Sequence, residues 1–274
     1  MKKLLFILIA AMVSSAAFAQ RTSRGASKEL LSQFTEQCDT ADNYPIRYRM
    51  AQIGSDSIVQ PILVIFLHSA GGRGDDNKTQ LGMPAVEDIL RYLQAKNMSA
   101  YFLVPQCPRS ASWNGIAPGD GNRRRGSGSS PNRPLFGDKE TLADKTPFVN
   151  HLRPWLDAFV SANNIGPHKI YILGASMGAA GVWEIVAQNP EFFSGAMAAS
   201  GMYRGKQYSN LLDTPIICTA GTEEDSHDKC KKLVEKLVKA GGKTIFESLD
   251  GMNHIDACNR AFTSERLDKL FGTH

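Results

Sequence analysis

The chain is poor in the features that mark a protein for a membrane, a nucleic acid or a disulfide scaffold. Beyond its first 19 residues, no apolar run is long enough to cross a bilayer, so stable membrane insertion is not expected. Charge of neither sign dominates: 31 Lys and Arg stand against 27 Asp and Glu. A nucleic-acid partner is therefore not expected. Cysteine is scarce, with five in 274 residues, and an odd number cannot all pair within one chain. Cys218 lies in the apolar run Pro215-Ile216-Ile217-Cys218 and reads as a small core residue rather than a bridge partner. No internal repeat is visible, and one domain is expected.

What is present begins with an export pattern. Lys2 and Lys3 precede the apolar stretch Leu4 to Val13, and Ala17-Phe18-Ala19 supplies small residues for cleavage before Gln20. Residues 1–19 read as a signal peptide, which places the protein in the periplasm or outside the cell. No cysteine follows the cleavage point, so a lipid anchor is not expected. Residues 20–43 are polar and read as an N-terminal extension. The domain is set at 44–274.

Within that domain, strand and helix patterns alternate. Tyr44 to Ile53, Pro61 to Leu67, Ala100 to Val104, Lys169 to Leu173, Gly195 to Ser200, Pro215 to Thr219 and Thr244 to Leu249 read as strands. Helical spacing covers Val86 to Lys96, Thr146 to Ala162, Met177 to Ala187, His227 to Ala240 and Ser264 to Phe271. Such alternation predicts an α/β fold, a mostly parallel twisted sheet with helices on both faces. Residues 114–137, rich in Gly, Pro, Ser and Arg, read as a loop insertion.

The segment Ile170 to Gly181 carries the chemistry. A buried strand runs into Gly174-Ala175-Ser176-Met177-Gly178 and out into a helix. Serine is a poor nucleophile and must stand clear of its own backbone to reach a carbonyl. A sharp strand-to-helix turn achieves this but crowds the chain, so small flanking residues are needed. The N–H of Met177, at the start of the helix, can face a developing oxyanion.

A serine so placed needs a base and an orienting acid. Both follow in order. Thr222-Glu223-Glu224-Asp225 comes after one strand, and His254 comes after the next, on what reads as a loop. Glu224 and Asp225 are both candidate acids. His151 and His168 precede the serine and flank a helix. His227, Asp225 and Cys230 have metal-ligand types, but they read more simply as the polar first turn of a helix. A nucleophilic pair of Cys258 with His254 is conceivable. The loop His68 to Gly74 follows the buried strand 61–67 and can supply a second oxyanion donor, the N–H of Ser69 or Ala70.

These segments resemble a known family. Phe66-Leu67-His68-Ser69-Ala70-Gly71-Gly72-Arg73-Gly74-Asp75-Asp76-Asn77 is similar to the Leu-His-Gly-x-Gly-x-Arg-Gly-x-Asp-Asn loop of α/β-hydrolases. The group includes dienelactone-hydrolase-like, phospholipase/carboxylesterase-like and predicted-peptidase members, with feruloyl and acetyl-xylan esterases. Val104-Pro105-Gln106-Cys107-Pro108 with Trp113, and the elbow with Trp183 and Glu184, resemble two further segments. The resemblance runs from about Tyr44 to the C-terminus and implies an eight-stranded α/β-hydrolase sheet, with the first strand open to being absent. It implies Ser176 as nucleophile, His254 as base, and the N–H groups of Met177 and of Ser69 or Ala70 as oxyanion donors. Family spacing favours Glu224 as the acid, whereas residue type favours Asp225. Ser69 departs from the family's glycine.

The expected function is an exported serine esterase acting through an acyl-enzyme. It needs no cofactor and no metal. Its partner is a small-molecule or polysaccharide ester, with acetyl or feruloyl groups suggested by the resemblance. The alternatives are a serine peptidase of the same fold and a catalytically silent hydrolase fold that binds a glycan.

Overall fold

The computed structural model describes residues 27–54, 61–117, 142 and 145–272. The signal-peptide reading of residues 1–19 and most of the insertion 114–137 lie outside them.

One eight-stranded sheet organises the chain, in the order β1-β2-β4-β3-β5-β6-β7-β8. Its strands are β1 (Thr35–Ala41), β2 (Tyr44–Ile53), β3 (Ile62–Leu67), β4 (Ala100–Pro105), β5 (Ile170–Ala175), β6 (Gly195–Ala199), β7 (Ile216–Gly221) and β8 (Thr244–Leu249). β1 and β2 run antiparallel to their neighbours, and the other pairs are parallel. Every residue of β3, β5 and β7 is buried. Parallel strands covered on both faces have no polar side to present, which explains their continuous apolar runs.

Helices α1 (Lys28–Ser32), α2 (Pro84–Ala95), α3 (Val149–Ala162), α4 (Met177–Gln188), α5 (His227–Lys239), α6 (His254–Arg260) and α7 (Ser264–Phe271) accompany the sheet. On one face Leu152, Trp155, Val182, Ile185, Leu233 and Leu237 pack against inward residues of the strands. On the other, Ile89, Leu90, Leu93, Ala257 and Leu267 do the same.

Two readings of the sequence need correction. The segment 20–43 is not all extension: Thr35–Ala41 forms β1, which pairs along its length with β2. It is an edge strand, mostly exposed or half-buried, so it lacks the apolar signature of a core strand. His254 does not lie on a loop; it is the first residue of α6. Asn253 caps that helix, its side chain accepting from the N–H groups of Ile255 and Asp256 at 2.9 and 3.1 Å.

Candidate active site

The polar residues at the C-terminal ends of the parallel strands converge, as expected for an open parallel sheet. Ser176 follows β5. Its backbone sits at φ 56°, ψ −116°, a conformation that ordinary residues avoid. The turn is held in place by close approach of backbones. A Cβ on Gly178 would lie 1.8 Å from the carbonyl oxygen of Leu67 in β3, and one on Gly174 would lie 2.6 Å from the carbonyl oxygen of Gly178. Both glycines of the motif are therefore steric requirements of the elbow.

Ser176 Oγ lies 2.9 Å from Nε2 of His254. Nδ1 of the same ring lies 2.7 Å from Oε2 of Glu224. The acid is thus Glu224 by contact. Asp225, the other candidate, is exposed, on the turn between residues 221 and 226. That turn is fixed where Gly221 passes Met252: a Cβ there would meet its carbonyl oxygen at 2.1 Å.

Glu224 is buried and heavily bonded. Oε1 accepts from Ser200 Oγ at 2.6 Å and from the Gly221 N–H at 2.7 Å, and Oε2 accepts from Ser226 Oγ at 3.1 Å. Burial alone would raise its pKa, but the bonds from His254, Ser200 and Gly221 outweigh burial and hold it below the ordinary carboxylate value. His254 is pushed up, by the Cys258 sulfur and then the Glu224 carboxylate, against the cost of burial. Ser200 and Ser226 were not singled out from the sequence. The available signal for Ser200 is its place just past β6, the position every other site residue holds relative to its strand.

The loop 68–77 is tied to the body of the protein. His68 is fully buried. Its Nε2 accepts from the Cys107 N–H at 3.0 Å, which fixes the tautomer, so Nδ1 donates to the Ser69 carbonyl at 2.6 Å. Burial and the Arg73 charge lower its pKa to about 4, overriding the bond to Ser69. Trp113 Nε1 donates to the His68 carbonyl at 2.9 Å. Gln106 donates to Gly72 O at 3.2 Å and to Asp76 at 2.7 Å, and accepts from the Asn77 N–H at 2.7 Å. The segment containing Gln106, Cys107 and Trp113 is therefore the loop's clamp.

The two candidate N–H donors on this loop differ. The Ser69 N–H donates to the Met83 sulfur at 3.3 Å. Ala70 begins a one-turn helix, Ala70–Gly72, and lines the same cavity as Ser176 and His254. Met177 begins α4 and also lines it. As first residues of their helices, neither N–H has an acceptor within the helix. The cavity measures about 260 Å³; its further walls include Asn114, Ile116, Ala180, Met202 and Arg204.

The remaining candidates lie elsewhere. His151 stacks on Tyr44 with ring centroids 4.5 Å apart. His227 bonds Ser248 at 2.9 Å and Asp228 at 3.0 Å, while Cys230 is buried beside the Gly201 carbonyl. Among the described residues, His, Cys, Asp and Glu nowhere group as a metal site. All five cysteines are free; Cys38 is exposed and the others are buried, Cys218 within the core as its apolar context suggested. Among the described residues no helix is long and apolar enough to cross a membrane.

The sheet order, the elbow after β5 and the acid and histidine after β7 and β8 together make this an α/β-hydrolase fold. The chain is similar in structure to a thermostable esterase, at TM-score 0.66 and 24% identity over 88% of this chain and 63% of that one. It thus spans less than two thirds of that esterase. It is also similar to a variant of the feruloyl esterase module from Clostridium thermocellum complexed with sinapinate, at TM-score 0.61, 11% identity and coverage of 91% and 94%. A third similar structure is a putative dienelactone hydrolase from Klebsiella pneumoniae, at TM-score 0.58, 14% identity and coverage of 88% and 98%. No protein-family model matches the chain, and no curated protein matches its sequence.

Proposed function

We propose that this protein is a serine hydrolase that cleaves carboxylic esters through an acyl-enzyme. The carrying observation is the continuous hydrogen-bonded chain from Ser176 Oγ through His254 to Glu224. In this reading His254 takes the proton of Ser176 as the hydroxyl attacks the ester carbonyl. Glu224 holds the ring and stabilises its protonated form. The N–H groups of Met177 and Ala70 receive the oxyanion; Ala70 is preferred because the Ser69 N–H is engaged by Met83. His254 then protonates the leaving alcohol. Water releases the acid by the same route in reverse.

Ester hydrolysis is supported by similarity to structures described as esterases. The mixed lining of the cavity, with Ile116, Met177, Ala180 and Met202 beside Asn114 and Arg204, suits a modest acyl group such as acetyl or a small aryl acid. Export through residues 1–19 belongs to the same proposal, and with it a substrate outside the cytoplasm, such as an esterified polysaccharide. The deciding experiment is fluorophosphonate labelling read by intact mass. One adduct on the wild type and none on Ser176→Ala is expected. A folded wild type that takes no label would overturn the reading in favour of a silent, ligand-binding fold.

A further inference from the structure

The catalytic histidine ring has a third neighbour that the acyl-transfer scheme leaves unused. Cys258 Sγ lies 3.8 Å from His254 Nε2, the same nitrogen that meets Ser176 Oγ at 2.9 Å. The pair is set by helix geometry. His254 opens α6 and Cys258 stands four residues on, so both side chains project from one face. Cys258 is 5% exposed and packs with Ala257, Ala261 and Phe262. It is anchored from behind while its sulfur faces the ring.

We propose that Cys258 is a positioning residue for the base, its sulfur sharing Nε2 of His254 with the Ser176 hydroxyl and setting how readily that nitrogen releases its proton. This rests on the acyl-transfer reading of the site. A thiol sulfur is both a weak donor and a weak acceptor. When Nε2 is neutral, the S–H competes with the Ser176 O–H for its lone pair. When Nε2 carries a proton, the sulfur accepts from it. The sulfur thus keeps the protonated ring partnered in the tetrahedral intermediate, where Ser176 Oγ is bonded to the substrate carbon and no longer offers a hydroxyl. No bond is made or broken to sulfur; only the site of the proton changes.

The groups that bear on the ring are few. Glu224 reaches it from the β7–α5 connection and Cys258 from its own helix, both favouring the protonated ring. Arg204, on the segment after β6, lines the same cavity. Ser200 and Ser226 are uncharged and bond the acid rather than the ring. Cys258 and Glu224 together hold the ring's pKa above its ordinary value.

The test is an NMR titration of the His254 ring in the full chain, on wild type, Cys258→Ala and Cys258→Ser, run beside pH profiles of kcat/KM on an aryl acetate. The Cys258→Ala midpoint should fall from its raised value toward the ordinary 6.5. The acid limb of its rate profile should fall with it. Cys258→Ser should recover part of the shift, since a hydroxyl retains both donor and acceptor. An unchanged midpoint in Cys258→Ala overturns the proposal, even if its melting temperature drops, because packing alone then accounts for the residue. Should Cys258→Ala fail to fold, an unchanged midpoint in Cys258→Ser does the same. Wild-type protein that hydrolyses no ester would sink the acyl-transfer reading, while the ring titration would still decide the role of the sulfur.

Discussion

The loops 68–77 and 221–226 both deliver groups to Ser176, but they are held in different ways. Gln106, Cys107 and Trp113 grip the first from elsewhere in the chain, and Asn77 reaches back to the carbonyls of Gln37 and Tyr48 at 2.8 and 3.1 Å. The second is tied by its own residues and by the end of β8 beside it. Glu224 accepts from Gly221 and Ser226, two members of the same turn, and the Glu224 N–H donates to the Gly221 carbonyl at 3.1 Å. Its outside support comes from Ser200 and from the carbonyls of Leu249 and Met252, which accept from the N–H groups of Thr222 and Glu223 at 3.1 Å each. A loop clamped by distant segments transmits damage from far away. A loop held by its own residues and by the end of the next strand fails when that neighbourhood changes.

The largest effect should come from Ser176→Ala, which removes the atom both loops serve. Aryl acetate hydrolysis should fall by about 10⁴-fold or more. Residual activity near wild type would mean the reaction occurs elsewhere.

The second loop is broken from within by Glu224→Gln, which should lower kcat by about 10²- to 10⁴-fold, since the amide no longer stabilises the protonated ring. Asp225→Asn, one residue on and exposed, should stay within about twofold. The reverse ranking in steady-state kinetics would return the acid to Asp225.

The clamped loop has an acid-sensitive component in His68. Its folded pKa of about 4 lies below the ordinary 6.5, so the unfolded chain takes up the proton first. The stabilisation is complete above pH 6.5 and drains away as pH falls toward 4, by about 3 kcal/mol in all. Urea midpoints at pH 7 and 4.5 would show it. His68→Gln, which binds no proton there, should flatten the difference, and an undiminished difference would place the acid sensitivity elsewhere.

Gln106→Ala tests the clamp without touching substrate. It leaves the buried Asn77 N–H unpaired, at a cost of about 1–3 kcal/mol. kcat should drop by about tenfold with KM nearly unchanged, because the Ala70 N–H loses its placement rather than its chemistry. A pure KM effect would argue that the loop binds substrate instead of meeting the oxyanion.

The sequence disclosed these two loops unequally, for the same physical reason. The glycines and the serine of the elbow, and His254 in its place after β8, are local features that a sequence carries openly. The long apolar runs of β3, β5 and β7 do likewise. β1 has no such signature, because an edge strand shows water much of its surface. α6 was hidden by its shortness, although its capping residue Asn253 and the reciprocal Asp256, bonded at 2.8 Å, were present. Ser200 meets Glu224 only through the pairing of β6 with β7, and no spacing along the chain encodes that. Choosing Glu224 over Asp225 likewise depended on which side of one turn faces inward.

Ser176 itself carries a further consequence. A side chain at φ 56°, ψ −116° holds the backbone where glycine is at ease and other residues are not, at a cost of about 1–3 kcal/mol. Ser176→Gly should therefore melt at a higher temperature than wild type, by a few degrees, while losing all turnover. A chain that would fold better without its serine has no folding reason to retain it. The excess stability of that one variant would measure, in a calorimeter and with no substrate in hand, how much the protein forgoes to keep a nucleophile in place.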